Sequence, residues 1–457
     1  MATDDSNKNI RQSPMECLRD LFNWKVRVEE TDPVTGVTTV EYRDPEPLKN
    51  PFSMAAKLTA SNWLFFLAGL FAWICDAFDF HALSIQTVKL SKSLFGLFMG
   101  GVYGNAIAMA LENCPVEARG LMSGILQQGY SMGYVFAACA NLGVGGSTDS
   151  WKVVFWIGAG ISCLSGVIRI FLPESKQFLA ARKARKEGKK SAASPGKFWR
   201  DTKEMLAKDW KLVVYCIFLM TWFNFYSHTS QDSYTTFMLT QKALNNSAAS
   251  RASILMKAGA CVGGTIIGYM SQWFGRRRSM VLSALMSAIL IPAWILPHGE
   301  RSLSASGFMM QFFVQGAWGV IPIHLNELSP PAYRSSFPGL TYQLGNMISS
   351  PSAQIVNAVA ESVSVRGDSS KPAPAYGATM GVATAIIALG IMITTAFGPE
   401  MRGRKFELAK VAGHLHDGEQ EHAGKEDLES GMVGRPHDEK RSEEAEVSES
   451  EKAVDKS

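Results

Sequence analysis

The sequence predicts an all-α polytopic membrane protein of about ten transmembrane helices, organised as two related halves. Three observations predict it. Charged residues are 19% of the 457-residue chain, but they gather at the two ends and in one central stretch. Between those stretches lie apolar blocks near the ~20 residues of helix that a hydrocarbon core requires. Residues in one half also recur in the other at the same offsets.

The blocks run roughly over 63–85, 94–111, 121–142, 153–172, 212–236, 254–274, 280–296, 308–325, 337–359 and 376–397. One such block could be a buried core helix, whereas ten predict repeated crossing of a bilayer. They divide the chain into a tail (1–61), a first half of four spans (62–172), a basic linker (173–211), a second half of six spans (212–398) and a disordered tail (399–457). The linker carries Lys176, Arg182, Lys183, Arg185, Lys186, Lys189, Lys190, Lys197 and Arg200, and residues 276–278 are Arg-Arg-Arg. Both stretches are expected on the cytoplasmic side by the positive-inside rule, which puts both termini there as well.

The loops left outside, 143–150 and 239–250, are poor in Lys and Arg, with Lys89 and Lys92 as the exception. Asn245-Asn246-Ser247 in the second of them is a triplet of the N-glycosylation type, a pattern common by chance. The long polar stretch before the first span leaves no signal-peptide pattern, so that span is expected to direct its own insertion. The seven cysteines are odd in number and mostly within spans, and they read as small packing residues. A net charge of +4 suits loops beside anionic lipid better than a nucleic-acid surface. The last tail lacks aromatic residues near its end and reads as disordered.

The repeat is specific. Glu112, Pro115, Arg119, Gly124 and Gln128 stand at offsets 0, 3, 7, 12 and 16, as do Glu327, Pro330, Arg334, Gly339 and Gln343. A Pro-Glu closes each half, at Pro173-Glu174 and Pro399-Glu400.

With these features and the stretch "GYMSQWFGRRR", Gly268 to Arg278, the chain resembles the major facilitator superfamily. That family's loop signature, Gly-x-x-x-Asp-Arg/Lys-x-Gly-Arg-Arg, is matched at Gly268, Gly275, Arg276 and Arg277. Gln272 stands in place of the Asp, which implies a weaker charge-pair latch. Within the superfamily, "NFYSHTSQDSYTT" resembles the signature of fungal Jen-type carboxylate permeases, Asn-x-x-Ser/Thr-His-x-Ser/Thr-Gln-Asp-x-x-x-Thr. The matching residues are Asn224, Ser227, His228, Ser230, Gln231, Asp232 and Thr236. Those permeases have six spans per half, so the resemblance implies that two helices are missing near "KLSKSLFG", residues 89–96. The chain then reads either as a ten-span carrier or as a wrongly joined gene product.

Residues four apart share a helix face. Asn224, His228 and Asp232 form one row, with Ser227, Gln231 and Thr235 beside it, so the fifth span carries a broad polar stripe. A stripe facing lipid is costly, and it is expected to face a water-filled cavity between the halves; a solvated helix end is the alternative for Thr235 and Thr236. His228 titrates near neutral pH and can serve as partner of an anion or as proton carrier, with Asp232 holding its charge or taking the proton itself. Asn224 and Gln231 would orient a substrate through hydrogen bonds.

In the first span Asp76, Asp79 and His81 form a second ionisable cluster, expected either to join proton coupling or to lock helices as an Asp–His pair. Gln343, Asn346 and Gln128 are expected to line the same cavity, or to act as interhelical hydrogen-bonding glue. Lys257 and Arg169 are read as lying near span ends, where they can snorkel.

No nucleophile–base set, nucleotide loop or metal-ligand spacing is present, so the chain reads as no enzyme, with no cofactor and no metal. The resemblance implies a plasma-membrane proton symporter of lactate, pyruvate or acetate that rocks its two halves about a midplane site. Its expected partners are the monocarboxylate, the proton, the lipid bilayer and cytoplasmic regulators acting on the tails, with no nucleic acid. Two rivals remain: a carrier of other organic acids such as dicarboxylates, and a non-transporting sensor or defective truncated variant.

Overall fold

Backbone N–H and C=O groups find no water in hydrocarbon, so a spanning segment must pair them internally, and the apolar blocks fold as helices. The computed structural model describes residues 12–31, 38–45, 47–86, 102–111, 114–143, 151–172, 195–330, 333, 336–368 and 372–403. The chain opens with helix α1 (Pro14–Phe22), strands β1 (Val26–Thr31) and β2 (Thr38–Arg43), and the short helix α2 (Pro51–Ala56). Then come α3 (Ala60–Gln86), α4 (Val102–Leu111), α5 (Arg119–Gln127), α6 (Gly129–Gly143) and α7 (Trp151–Phe171). After the linker stand α8 (Pro195–Gln231), α9 (Tyr234–Thr240), α10 (Asn246–Phe274), α11 (Arg276–Ile295) and α12 (Glu300–Leu328). The chain continues through α13 (Ser336–Ser349), α14 (Ser352–Ser362), strands β3 (Ser364–Arg366) and β4 (Pro372–Pro374), and α15 (Tyr376–Phe397).

Two compact units are distinguished. Met1–Pro173 with Met205–Ala409 forms the first, which holds every site discussed below; Glu174–Glu204 with Lys410–Ser457 forms the second. Of the second unit only residues 195–204 are described, as the first turns of α8. Lys89, Lys92, Glu112, Arg334, the 89–96 junction, most of the basic linker and the tail from 404 onward lie outside the described residues.

The protein is a multi-pass, mostly helical membrane protein, but its apolar blocks are not ten unbroken helices. Among the described residues six helices are long and apolar enough to span: Ala60–Ala82, Lys152–Phe171, Asn246–Phe274, Arg276–Ile295, Glu300–Leu328 and Tyr376–Phe397. The block at 121–142 breaks at Gln128, whose N–H turns back to the Ile125 carbonyl at 3.1 Å. The block at 212–236 divides after Gln231, where a turn centred on Ser233 (φ −90°, ψ −1°) separates α8 from α9. Pro351, lacking an N–H, separates α13 from α14 within 337–359. The helix carrying the fifth block starts at Pro195, but its backbone kinks at Asp209, close to the expected start of the span.

Two small hairpins depart from the all-helical expectation: β1 with β2, and β3 with β4. The first has a simple cause, since Val and Thr recur through "VRVEET" and "TTVEYR" and suit extended backbone. Asn245 does not stand idle in a loop either, for its side-chain oxygen accepts from the Ala248 N–H at 2.8 Å and caps α10. All seven cysteines are free thiols.

Around α3 pack α4, α6 and α7, while α12 packs on α10 and α11, and α11 on α15. The helix α5 joins the two groups by contacting both α10 and α12, and α4 meets α13. Small residues permit this approach. A Cβ added to Gly268 on α10 would stand 2.6 Å from the Gly124 Cα on α5. Beside it the Ser123 hydroxyl donates to the Gly319 carbonyl at 2.8 Å and accepts from the Ile323 N–H at 3.1 Å, both on α12.

The end of the bundle near residues 275–278 is tied by charge and hydrogen bonds. Gly275 takes φ 102°, a conformation that suits glycine and ends α10 sharply. Arg276, wholly buried, meets Glu327 of α12 at 3.1 Å and donates to Ser271 at 2.7 Å and Gln272 at 2.9 Å. Gln272 also donates to the Val116 carbonyl at 3.0 Å and accepts from the Gly120 N–H at 3.3 Å. The neutral side chain therefore still links α10 to the start of α5, because an amide both donates and accepts. Arg277 donates to the Thr395 carbonyl at 2.9 Å and to the Cys17 carbonyl of α1 at 2.7 Å. At the same end Lys49 and Lys57 bond to Glu117 at 2.5 and 3.1 Å, holding its carboxyl below the usual range.

Removing one partner of a buried pair strands the other charge, at a cost of about 3–5 kcal/mol. Glu327→Ala should therefore lower the thermal-unfolding midpoint of the purified protein far more than Glu117→Ala, whose carboxylate sits in a partly exposed pair. Gln272→Ala should loosen α5 against α10. Maleimide should then modify the buried Cys114 thiol about fivefold faster than in the unaltered chain, the effect of losing ~1 kcal/mol of hydrogen bonding.

Candidate functional site

The polar stripe that runs from α8 into the start of α9 divides between two surroundings. The row of Ser227, Gln231 and Thr235 turns into the second group of helices: Gln231 donates to the Ser227 hydroxyl, and Thr235 meets Ser253 of α10 at 3.0 Å. From α12, Gln315 reaches Ser227 at 3.4 Å and Gln311 reaches Ser230 at 3.0 Å. The Oε1 atoms of Gln311 and Gln315 are buried with no hydrogen-bond partner.

The other row turns toward the first group. His228 Nδ1 lies 2.8 Å from Asp232 Oδ2, one helical turn on. In the tautomer that carries its proton on Nδ1, the ring donates to the carboxylate and Nε2 is the nitrogen that can accept a proton. The His228 side chain is 14% exposed and that of Asp232 38%, so the pair is reached from outside the packed core. Phe80 of α3 stands 6.4 Å from the His228 ring, and Asn346 approaches it from α13. Asn224, buried at the base of this row, donates to the Met220 carbonyl at 2.9 Å.

The remaining sequence candidates part company. His81 joins the site from α3, with its ring 4.7 Å from Tyr130 and 5.1 Å from Tyr134 of α6, and its buried Nε2 has no partner. Asp79 points elsewhere and accepts from Ser162 of α7 at 2.8 Å. The two are no Asp–His pair, because residues two apart on a helix do not share a face. Asp76 keeps a buried, unpartnered Oδ1. Gln128 donates to the Gly124 carbonyl at 3.1 Å and lies against Gly264, at the α5–α10 contact rather than beside His228. Gln343 is half-buried on the helix that carries Asn346, next to Tyr342, whose ring stacks on Tyr103 at 4.0 Å.

Lys257 corrects an expectation. It does not snorkel from a span end. The Asn245 cap starts α10 at Asn246, so Lys257 stands about 16 Å along the helix at ~1.5 Å per residue. It is 3% exposed, donates to Gln231 Oε1 and lies over the rings of Tyr134 at 4.6 Å and Tyr130 at 5.7 Å. Arg169 does sit exposed near the end of α7. Sequence reasoning missed Tyr130, Tyr134, Gln311 and Gln315. The four-residue spacing of each pair was a usable signal, for it aligns two hydrogen-bonding groups on one face of an apolar helix.

The arrangement thus offers a titratable His–Asp pair, a buried ammonium, several amides and aromatic walls. They are gathered where α3 and α6 of one helix group face α8, α10 and α13 of the other.

Comparison with known proteins places the chain. The Major Facilitator Superfamily profile matches residues 58–395. A "Carboxylic acid transporter protein homolog" of Saccharomyces cerevisiae is 28% identical over 401 residues, spanning 70% of this chain and 65% of its own length. This chain therefore covers just under two thirds of that relative. A "Probable 4-methylmuconolactone transporter" of Cupriavidus pinatubonensis is 25% identical, covering 71% of this chain and 72% of its own. Among solved structures, the proton:xylose symporter XylE with bound 6-bromo-6-deoxy-D-glucose aligns with a TM-score of 0.55 at 14% identity. That alignment takes in 76% of this chain and 98% of the other, a likeness of fold. With its helices in two groups about a polar centre and the family profile running through nearly all of them, the chain belongs to the Major Facilitator Superfamily.

Proposed function

We propose that this chain carries organic acids across a membrane, with short monocarboxylates such as lactate, pyruvate and acetate as substrates and a proton as the coupled ion. The observation that carries the proposal is the His228–Asp232 pair at 2.8 Å, flanked by buried amides and facing residues of the opposite helix group. The name of the yeast relative points the same way. His228 Nε2 takes the proton; the imidazolium is held by Asp232 and attracts the carboxylate, and loss of the proton releases both. Gln231 and Asn224, with Asn346 from α13, orient the substrate. His81 extends the proton path into the first helix group. Asp79, Gln128 and Gln343 take supporting roles in holding and moving the helices.

Alternating access follows when α5 parts from α10 and α12, with Gly268, Gln272, Gly275, Arg276 and Arg277 as the tie that opens and closes. In this scheme residues 275–278, the basic linker and both termini lie on the cytoplasmic side of the plasma membrane. The half-boundaries are 62–172 and 212–398.

The test is proton-coupled uptake of labelled lactate in cells lacking their own permease. His228→Ala and Asp232→Asn should each cut uptake about tenfold or more, the loss expected for one hydrogen bond to a charged group. A protonophore should abolish accumulation by the unaltered chain. Uptake untouched by both substitutions refutes the site, and absence of uptake by a surface-exposed chain refutes transport.

A further inference from the structure

We propose that Lys257 is the docking point for a substrate carboxylate, and that its single unpaired charge selects one carboxylate over two; this rests on the transport reading above. An ammonium taken out of water is costly unless paired, and buried charges are normally held by an opposite charge. Lys257 is 3% exposed in mid-helix and makes no ion pair among the described residues. Among the described residues it makes one hydrogen bond, to Gln231 Oε1, which uses a single donor of the three on an ammonium. The faces of Tyr130 and Tyr134 add cation–π contacts, and the Asp232 carboxylate attracts the ammonium from beyond ion-pair distance.

A second observation points to a ligand at the same place. His81 packs against those same two tyrosines, and its Nε2 is buried with nothing to bond. Lys257 and Gln231 belong to one helix group, whereas Tyr130, Tyr134 and His81 belong to the other. Parting the groups uncovers the ammonium, and a carboxylate entering between them finds a cation on one side and an unpartnered imidazole nitrogen on the other. With its proton bound, His228 is cancelled by Asp232, and the Lys257 ammonium is then the net charge of the site, which matches a monoanion; with the proton gone, Asp232 offsets Lys257 instead.

Purified full-length chain in lipid nanodiscs tests this. Lactate should raise the thermal-unfolding midpoint and lactamide, its neutral analogue, should not. Lys257→Gln should weaken the apparent lactate affinity about 10–100-fold, the range for a lost charge-assisted hydrogen bond, with Lys257→Arg retaining most of it. Succinate should bind more weakly than lactate. On the unaltered chain, lactate should slow acetylation of Lys257 by acetic anhydride, read by peptide mass spectrometry, and lactamide should leave it unchanged; this holds even where a variant fails to fold.

Lactate binding unchanged in Lys257→Gln, equal protection by lactamide, or no effect of any carboxylate tried overturns the proposal. Lactate uptake that survives Lys257→Gln overturns the docking point and leaves the transport reading standing. Lys257-dependent binding of lactate without uptake does the reverse.

Discussion

Inside a bilayer a polar side chain has no water to fall back on, and the packing of the described helices around the α8 stripe and around Arg276 answers to that constraint. The polar face of α8 can exist only because α10 and α12 bring Lys257, Ser253, Gln311 and Gln315 to meet it. The same demand holds at the other end of the molecule, where the buried Arg276 guanidinium is met by Glu327, Ser271 and Gln272. Glycines on α5, α10 and α12 then set how near the helices come.

Two kinds of contact join the helix groups, and they differ in strength. At the 275–278 end, backbone meets backbone through Gly124 and Gly268, reinforced by Ser123 and Gln272. Around His228 the groups meet through rings, Phe80 against His228 and the faces of Tyr130 and Tyr134 against Lys257. Aromatic contacts of ~0.5–1.5 kcal/mol part and reform more readily than a close-packed glycine seam with buried hydrogen bonds. A domain motion that opens the site from the weaker side is the movement this asymmetry favours.

Much of this was legible in the sequence. Within the described residues the apolar blocks became helices, and the i, i+4 row from Asn224 through His228 to Asp232 gave the His–Asp pair directly. Helical spacing states which residues share a face, but not which helix that face will meet. Gln128 therefore went to the α5–α10 seam, although its repeat position matched Gln343. Asp79 and His81, two residues apart, diverged to α7 and α6. Lys257 was misplaced because its apolar block appeared to begin at 254, whereas the Asn245 cap starts the helix eight residues earlier, at Asn246. The Gln128, Ser233 and Pro351 breaks were hidden for a similar reason: hydrophobicity does not record a local turn.

The central claim is that the centre between the helix groups meets water from each side of the membrane in turn. Asn346→Cys, in a chain whose seven native cysteines are replaced, reports on this in reconstituted vesicles. The account predicts that membrane-impermeant thiol reagents added on either side label that cysteine, and that lactate slows both reactions. Labelling from neither side, or only by lipid-soluble reagents, would contradict it.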